Sequence, residues 1–184
     1  QGGGALLLSN PHNPLGKAFG REELLAIADI CLANEAWIIS DEIHAELCFD
    51  GRQHLPMASL SPQIAQRTIT LMSASKAYNI AGMKTSFMII QDRHLREKVN
   101  HARCGMVDSV NPLGMEATRV AYSEAAPWLA ALKDYLQANR DYLVDAVRSR
   151  LPGITLNVPQ STYLAWLDCS ALELDNPQQF FLEQ

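Results

Sequence analysis

An α/β fold with a mostly parallel sheet and flanking helices is what this sequence predicts, and three observations carry it. Short, wholly apolar runs recur, such as Ala5-Leu6-Leu7-Leu8 and Trp37-Ile38-Ile39. That is the pattern of strands covered on both faces, as inside a parallel sheet. Segments with helical apolar spacing alternate with them, which is how βαβ units are written. Just past three of the runs come Asn13, Asp41 and Lys76. Ligands of open α/β sheets sit outside the carboxyl ends of the strands, so these three polar residues share one expected edge.

Taken in order, Ala5 to Ser9 reads as the first strand. Asn10-Pro11-His12-Asn13-Pro14-Leu15-Gly16 follows; each proline restricts the residue before it, so this is a stiff loop. Gly20-Arg21-Glu22-Glu23 opens a helix whose apolar face holds Leu24, Leu25, Ile27, Ala28, Cys31 and Leu32. Trp37 to Ser40 is the second strand and ends on Asp41-Glu42-Ile43-His44. Phe49-Asp50-Gly51 turns, and Ser61-Pro62 starts a short helix. Thr68 to Met72 is the third strand and Thr85 to Ile90 the fourth. A charged helix begins at Arg93, and Asn111-Pro112-Leu113-Gly114 marks a turn or a helix start. Helical spacing then covers Met115 to Tyr122 and Trp128 to Arg148, with Leu129, Leu132, Leu136, Leu143, Ala146 and Val147 on one stripe. Leu151-Pro152-Gly153 stops that helix. Weakly alternating runs at 156–159 and 161–167 open a smaller α+β domain, and Asn176-Pro177 starts another helix. The expected organisation is therefore 1–127 as the larger domain, 128–150 as an interdomain helix, and 151–184 as the beginning of the smaller domain.

The 184 residues are enough for one sizeable domain or one and a fraction. A hydrophobic share of 48% against 19% charged excludes disorder. A formal charge of −5 with no long basic run argues against nucleic acid as the main partner. The apolar runs are too short to span a bilayer, and no signal-peptide pattern is present. Cys31, Cys48, Cys104 and Cys169 are scattered without any Cys-x-x-Cys pair. Reduced thiols in a cytoplasmic protein are expected, without bound metal. The chain opens on a strand and stops within a helical pattern, so it reads as a piece of a longer protein.

The stretch Ser73-Ala74-Ser75-Lys76-Ala77-Tyr78-Asn79-Ile80-Ala81-Gly82-Met83-Lys84 is where chemistry is expected. A lysine just past a buried strand can lose solvation and form a Schiff base with a carbonyl cofactor. A pyridine aldehyde bearing a phosphate would use the neighbouring groups as well. Asp41 would keep a ring nitrogen protonated. Asn13 and His44 would face a ring oxygen. Ser73 and Lys84 would meet the phosphate. Lys76 would then move the α-proton of a substrate. Each residue alone has a plainer reading: Asn13 as a turn former, Asp41 as a helix cap, His44 as an interior histidine, Lys84 as a surface lysine, and Glu42 in support.

In combination the residues resemble a known family. Asn-Pro-His-Asn-Pro-Leu-Gly at 10–16, Ser-Asp-Glu-Ile-His at 40–44 and Ser-Ala-Ser-Lys at 73–76, followed by Asn79 and Gly82, are similar to fold-type I pyridoxal-phosphate enzymes, the aspartate aminotransferase superfamily. The branch of cystathionine β-lyases (C–S lyases) of the MalY/PatB type is the nearest, and Thr162-Tyr163-Leu164-Ala165-Trp166-Leu167-Asp168 resembles its entry to the small domain. The resemblance runs nearly end to end and implies a partial large domain of the pyridoxal-phosphate transferase type.

It further implies pyridoxal 5'-phosphate as cofactor, with Lys76 as the Schiff-base lysine. By the same resemblance Asn13 bonds the ring oxygen, Asp41 the pyridinium nitrogen and Ser73 the phosphate. His44 stands where many aminotransferases place a tyrosine. Lys84 stands where an arginine is usual, keeping the charge without the two-pronged geometry. The implied activity is β-elimination from cystathionine or a related sulfur amino acid, in a homodimer. An aminotransferase is the alternative on the same scaffold. The implied phosphate loop, stacking aromatic and substrate-carboxylate arginine lie outside 1–184, so this stretch by itself is expected to be inactive. A non-catalytic α/β module is the reading from another class; a P-loop or Rossmann binder lacks the required glycine spacing.

Overall fold

The computed structural model describes residues 3–107 and 109–183. β1 (Ala5–Ser9), β2 (Trp37–Asp41), β3 (Thr68–Met72) and β4 (Phe87–Ile90) form one sheet in the order β1-β2-β3-β4. β1, β2 and β3 run parallel, and β4 returns antiparallel to β3. The crossover from β1 to β2 is α1 (Arg21–Ala33); that from β2 to β3 contains α2 (Pro62–Gln66). Only fourteen residues separate β3 from β4, too few for a helix-length crossover, and an antiparallel return is the outcome such a short connection allows.

Period-2 alternation sorts the strands into two faces. Leu8, Ile38, Ser40, Thr68 and Thr70 are buried on the face that α1 and α2 cover. There Leu8 and Ile38 join Leu24, Ala28, Cys31, Met57, Leu60 and Ile64 in the main core. The other face is open: Leu7 is 70% exposed, and Ile39, Ile69 and Leu71 are half-buried. The first strand was expected to be covered on both sides. It departs from that because the described helices of the main core pack against one face.

Helix starts follow local capping chemistry. The Ser61 hydroxyl accepts from Ile64 N, the Asp92 carboxylate caps α3 (Arg93–Ala102), and the Asn111 amide oxygen accepts from Gly114 N at the start of α4 (Pro112–Glu124). α5 (Ala126–Arg150) is continuous over 25 residues. Its predicted stripe is the side that packs: Leu129, Leu132, Leu136 and Leu143 are half-buried, and Val144 and Val147 are buried. Beyond it, β5 (Thr155–Leu156) pairs antiparallel with β6 (Leu167–Asp168), and α6 (Pro177–Leu182) follows. These strands are much shorter than the runs predicted at 156–159 and 161–167, because residues 159–163 leave the β5–β6 pair to lie against the larger sheet's loops. Among the described residues no helix is long and apolar enough to cross a membrane.

That return is held by backbone and by one arginine. Gln160 N donates to Gly16 O, Phe49 N to Gln160 O, and Thr162 N to Leu47 O. Arg140 of α5 grips both oxygens of Asp50, at 2.7 and 2.8 Å, and donates to Pro159 O. A bidentate pair on a largely buried guanidinium fixes angle as well as distance. Gly16 is required at the crossing: its φ is +64°, and a Cβ there would lie 2.7 Å from Pro159 Cβ and 2.8 Å from Ser161 O. Gly16→Ala is expected to cost about 1–3 kcal/mol through strain at positive φ, read as a lowered denaturant midpoint in the full-length protein.

Candidate active site

The parallel register brings three strand ends together. Ser9, Asp41 and Leu71 lie side by side in one row at the carboxyl edge. Asn10 N donates to Asp41 O and Glu42 N to Leu71 O, which carries the pairing one residue past the strands. Each candidate residue leaves from this edge.

Asn13 sits on the loop after β1, in which Asn10-Pro11 and Asn13-Pro14 are cis. Its N–H donates weakly to Ser9 Oγ at 3.4 Å, and its side chain is exposed. Asn10, the other asparagine of the loop, is internal: its amide oxygen accepts from Phe19 N. Asp41 is half-buried and accepts from Ile43 N at 3.3 Å, so it shapes its own turn, and no α-helix begins at Glu42.

Glu42 turns the opposite way, into the core. Its carboxylate accepts from Ser40 Oγ at 2.8 Å and Met57 N at 3.0 Å, and meets His54 Nε2 at 2.7 Å. With both carboxylate oxygens engaged, Glu42 is structural, which agrees with its expected supporting place. His54 was missed by sequence reasoning; only its contact with Glu42 marks it.

His44 is 2% exposed, and neither ring nitrogen has a hydrogen-bond partner. Burial, then the Lys76 ammonium, push the imidazole below its ordinary value of 6.5, while the Asp41 carboxylate pulls it up. The imidazole therefore lies within range of both charges.

Lys76 is half-buried on a tight turn after β3. Ala74 and Ala77 beside it are fully buried, which pins the turn from below. Ser73 caps it: its hydroxyl accepts from Ser75 N at 3.0 Å and donates to Thr85 O at 2.6 Å. A serine was expected here to face an anion, but this hydroxyl is buried and its proton is committed. Ser75, whose hydroxyl oxygen lies 2.8 Å from that of Ser73, is half-buried. Tyr78 closes the turn by stacking on Trp128 of α5 at 6.2 Å and meeting Tyr122 of α4 edge-on at 5.6 Å.

Near those rings Glu46 has a buried oxygen without a partner, and burial raises its carboxyl above the usual range. Lys84 lies on the segment before β4. It is exposed, in the left-handed region at φ 49°, and lines a groove of about 670 Å³ together with Arg96 and Arg103. Its backbone is set by α4, since Met83 O accepts from Asn111 Nδ2 at 3.1 Å.

Residues 1–183 match the family described as aminotransferase class I and II. The chain belongs to that family. Within it, the chain is 37% identical over 174 residues to the cystathionine beta-lyase PatB of Bacillus subtilis, covering 94% of this chain and 45% of that protein. The crystal structure of OvoB superposes with a TM-score of 0.94 at 45% identity, over 97% of this chain and 47% of that one. The PLP-bound C–S lyase from Staphylococcus hominis superposes at 0.89 with 38% identity, over 97% and 46%. The chain spans somewhat less than half the length of these relatives. The α/β architecture expected from the sequence is the one this family shares.

Two outcomes are expected from this geometry. Glu42→Ala strands Met57 N–H and His54 in the core and should lower stability by about 3 kcal/mol, whereas Glu42→Gln should retain most of it; chemical denaturation measures both. For His44, the folded chain resists the proton that the unfolded chain accepts. Its stabilisation is full above pH 6.5 and is lost as pH falls through the lower folded-state value. His44→Phe should therefore show a shallower loss of stability between neutral and mildly acid pH than the parent protein.

Proposed function

We propose that the full-length protein is a pyridoxal-phosphate-dependent C–S β-lyase that cleaves cystathionine or a related β-thio amino acid, with Lys76 carrying the cofactor. The observation that supports this most is His44: a dry imidazole with both nitrogens unpartnered, within reach of the charges on Lys76 and Asp41. Leaving such atoms unpaired costs roughly 1–3 kcal/mol each, and a bound ring bearing an oxygen would satisfy one of them. The names of PatB and of the Staphylococcus hominis enzyme support the lyase branch.

The residues present fit the group. Asp41 would keep the ring nitrogen protonated, the Asn13 amide and His44 would face the ring oxygen, and Lys84 would supply charge to the phosphate. Ser73 must release the Thr85 carbonyl to reach a phosphate oxygen, and Ser75 must turn from the Ser73 hydroxyl to do so. When bound, the cofactor would supply the electron sink for negative charge at the substrate's α-carbon. Lys76, as free amine, would accept the α-proton, and its loss would let the β-thiolate depart. The overall change consumes one water and yields thiol, pyruvate and ammonia. The active assembly is a homodimer in this reading.

Borohydride reduction of the full-length protein with pyridoxal phosphate should fix a pyridoxyl group on Lys76, found by peptide mass mapping. Lys76→Ala should lose that label and roughly 10²–10⁴-fold in turnover. Cystathionine should release thiol and pyruvate together. Keto-acid-dependent amino exchange without thiol release would overturn the lyase reading, and a pyridoxyl label elsewhere would overturn the assignment of Lys76.

A further inference from the structure

The His44 imidazole is enclosed on one side by a residue from a distant part of the chain. The Tyr163 ring meets it edge-to-face, with centroids 5.8 Å apart and planes at 71°. Tyr163 is delivered by the return segment that opens the smaller domain. Thr162 N donates to Leu47 O, Cys48 and Ser161 form an antiparallel bridge, and Leu164 N donates to Thr162 Oγ1 at 3.2 Å. Thr162 is buried in the left-handed region at φ 70°, which turns the chain sharply just before the tyrosine. The His44 segment and the Tyr163 segment are therefore tied by backbone within a few residues of the ring contact. Yet Tyr163 itself is 47% exposed, so its ring is a wall between the imidazole and water.

We propose that Tyr163 is a positioning residue for His44: its ring sets the tilt of the imidazole and keeps it dry, leaving the ring nitrogens free for the cofactor's oxygen. An edge-to-face pair has a preferred geometry and is not a mere filler of space. No hydrogen bond holds His44 from either nitrogen, so packing must orient it, and Tyr163 is the aromatic in contact. The charged groups that His44 feels are Lys76, on the turn after β3, and Asp41, at the end of β2; the wall is uncharged.

The role toward cofactor rests on the site proposed above, so the primary test is made without cofactor. In the full-length protein the His44 ring is followed by NMR through a pH titration. Tyr163→Ala admits water and should raise the His44 midpoint toward the ordinary histidine value. Tyr163→Phe keeps the ring and should leave the midpoint where it is in the parent. An unmoved midpoint in Tyr163→Ala would overturn the proposal, as would an equal shift in both variants, which would assign the effect to the hydroxyl. Pyridoxal phosphate affinity should also fall roughly three- to tenfold in Tyr163→Ala and recover in Tyr163→Phe. If the parent's His44 signals do not respond to pyridoxal phosphate, the site reading fails, while the cofactor-free titration still decides the role of Tyr163.

Discussion

Parallel pairing of β1, β2 and β3 is the constraint from which the site follows. Parallel strands end at the same edge, and hydrogen bonding sets Ser9, Asp41 and Leu71 in one row. The loops that leave this row have nowhere else to begin. Asn13, Asp41 and Lys76, separated by tens of residues in sequence, follow three strands that end at one edge. Slipping any strand by one residue would exchange its two faces, turning Asp41 into the core that Glu42 now occupies.

The two acidic residues at the end of β2 show how that alternation divides labour. Glu42 points inward and is held by hydrogen bonds with Ser40, Met57 and His54. Asp41 points to the other face, half-buried, and stays available. Two residues later His44 is buried again, but without partners. Satisfied polar groups hold the sheet's end, while His44 and Glu46 beyond it keep buried polar atoms without partners. The Lys76 turn is built on the same principle, with Ala74 and Ala77 packed beneath it and the Ser73 hydroxyl spent on Thr85.

The return of residues 159–163 adds a second layer of control. Gly16 permits the close crossing, Arg140 clamps Asp50 and Pro159 to the long helix, and Tyr163 reaches the imidazole. The helix, the loop after β1 and the His44 segment thereby converge on one strip of chain. This strip is tied to its surroundings by backbone bonds, by Arg140 and by the Gln160 side chain, beside the buried Leu47, Cys48 and Phe49.

Much of this was legible beforehand. Apolar runs with helical spacing between them determine the strands, the helices and their alternation, because periodicity is a local property. The same holds for the caps at Ser61, Asp92 and Asn111, and for the residue types clustered after each strand. What only the tertiary structure decided depends on neighbours. Leu7 is exposed because the described core helices pack against the other face of the sheet. Ser73 is spent because Thr85 O happens to lie beside it. Lys84 lines a groove with Arg96 and Arg103. His54 and Tyr163 enter the description only through contacts with Glu42 and His44. A side chain's chemistry is written in its own letter, but whether its hydrogen-bonding capacity is used or left open is set by groups that the fold brings to it.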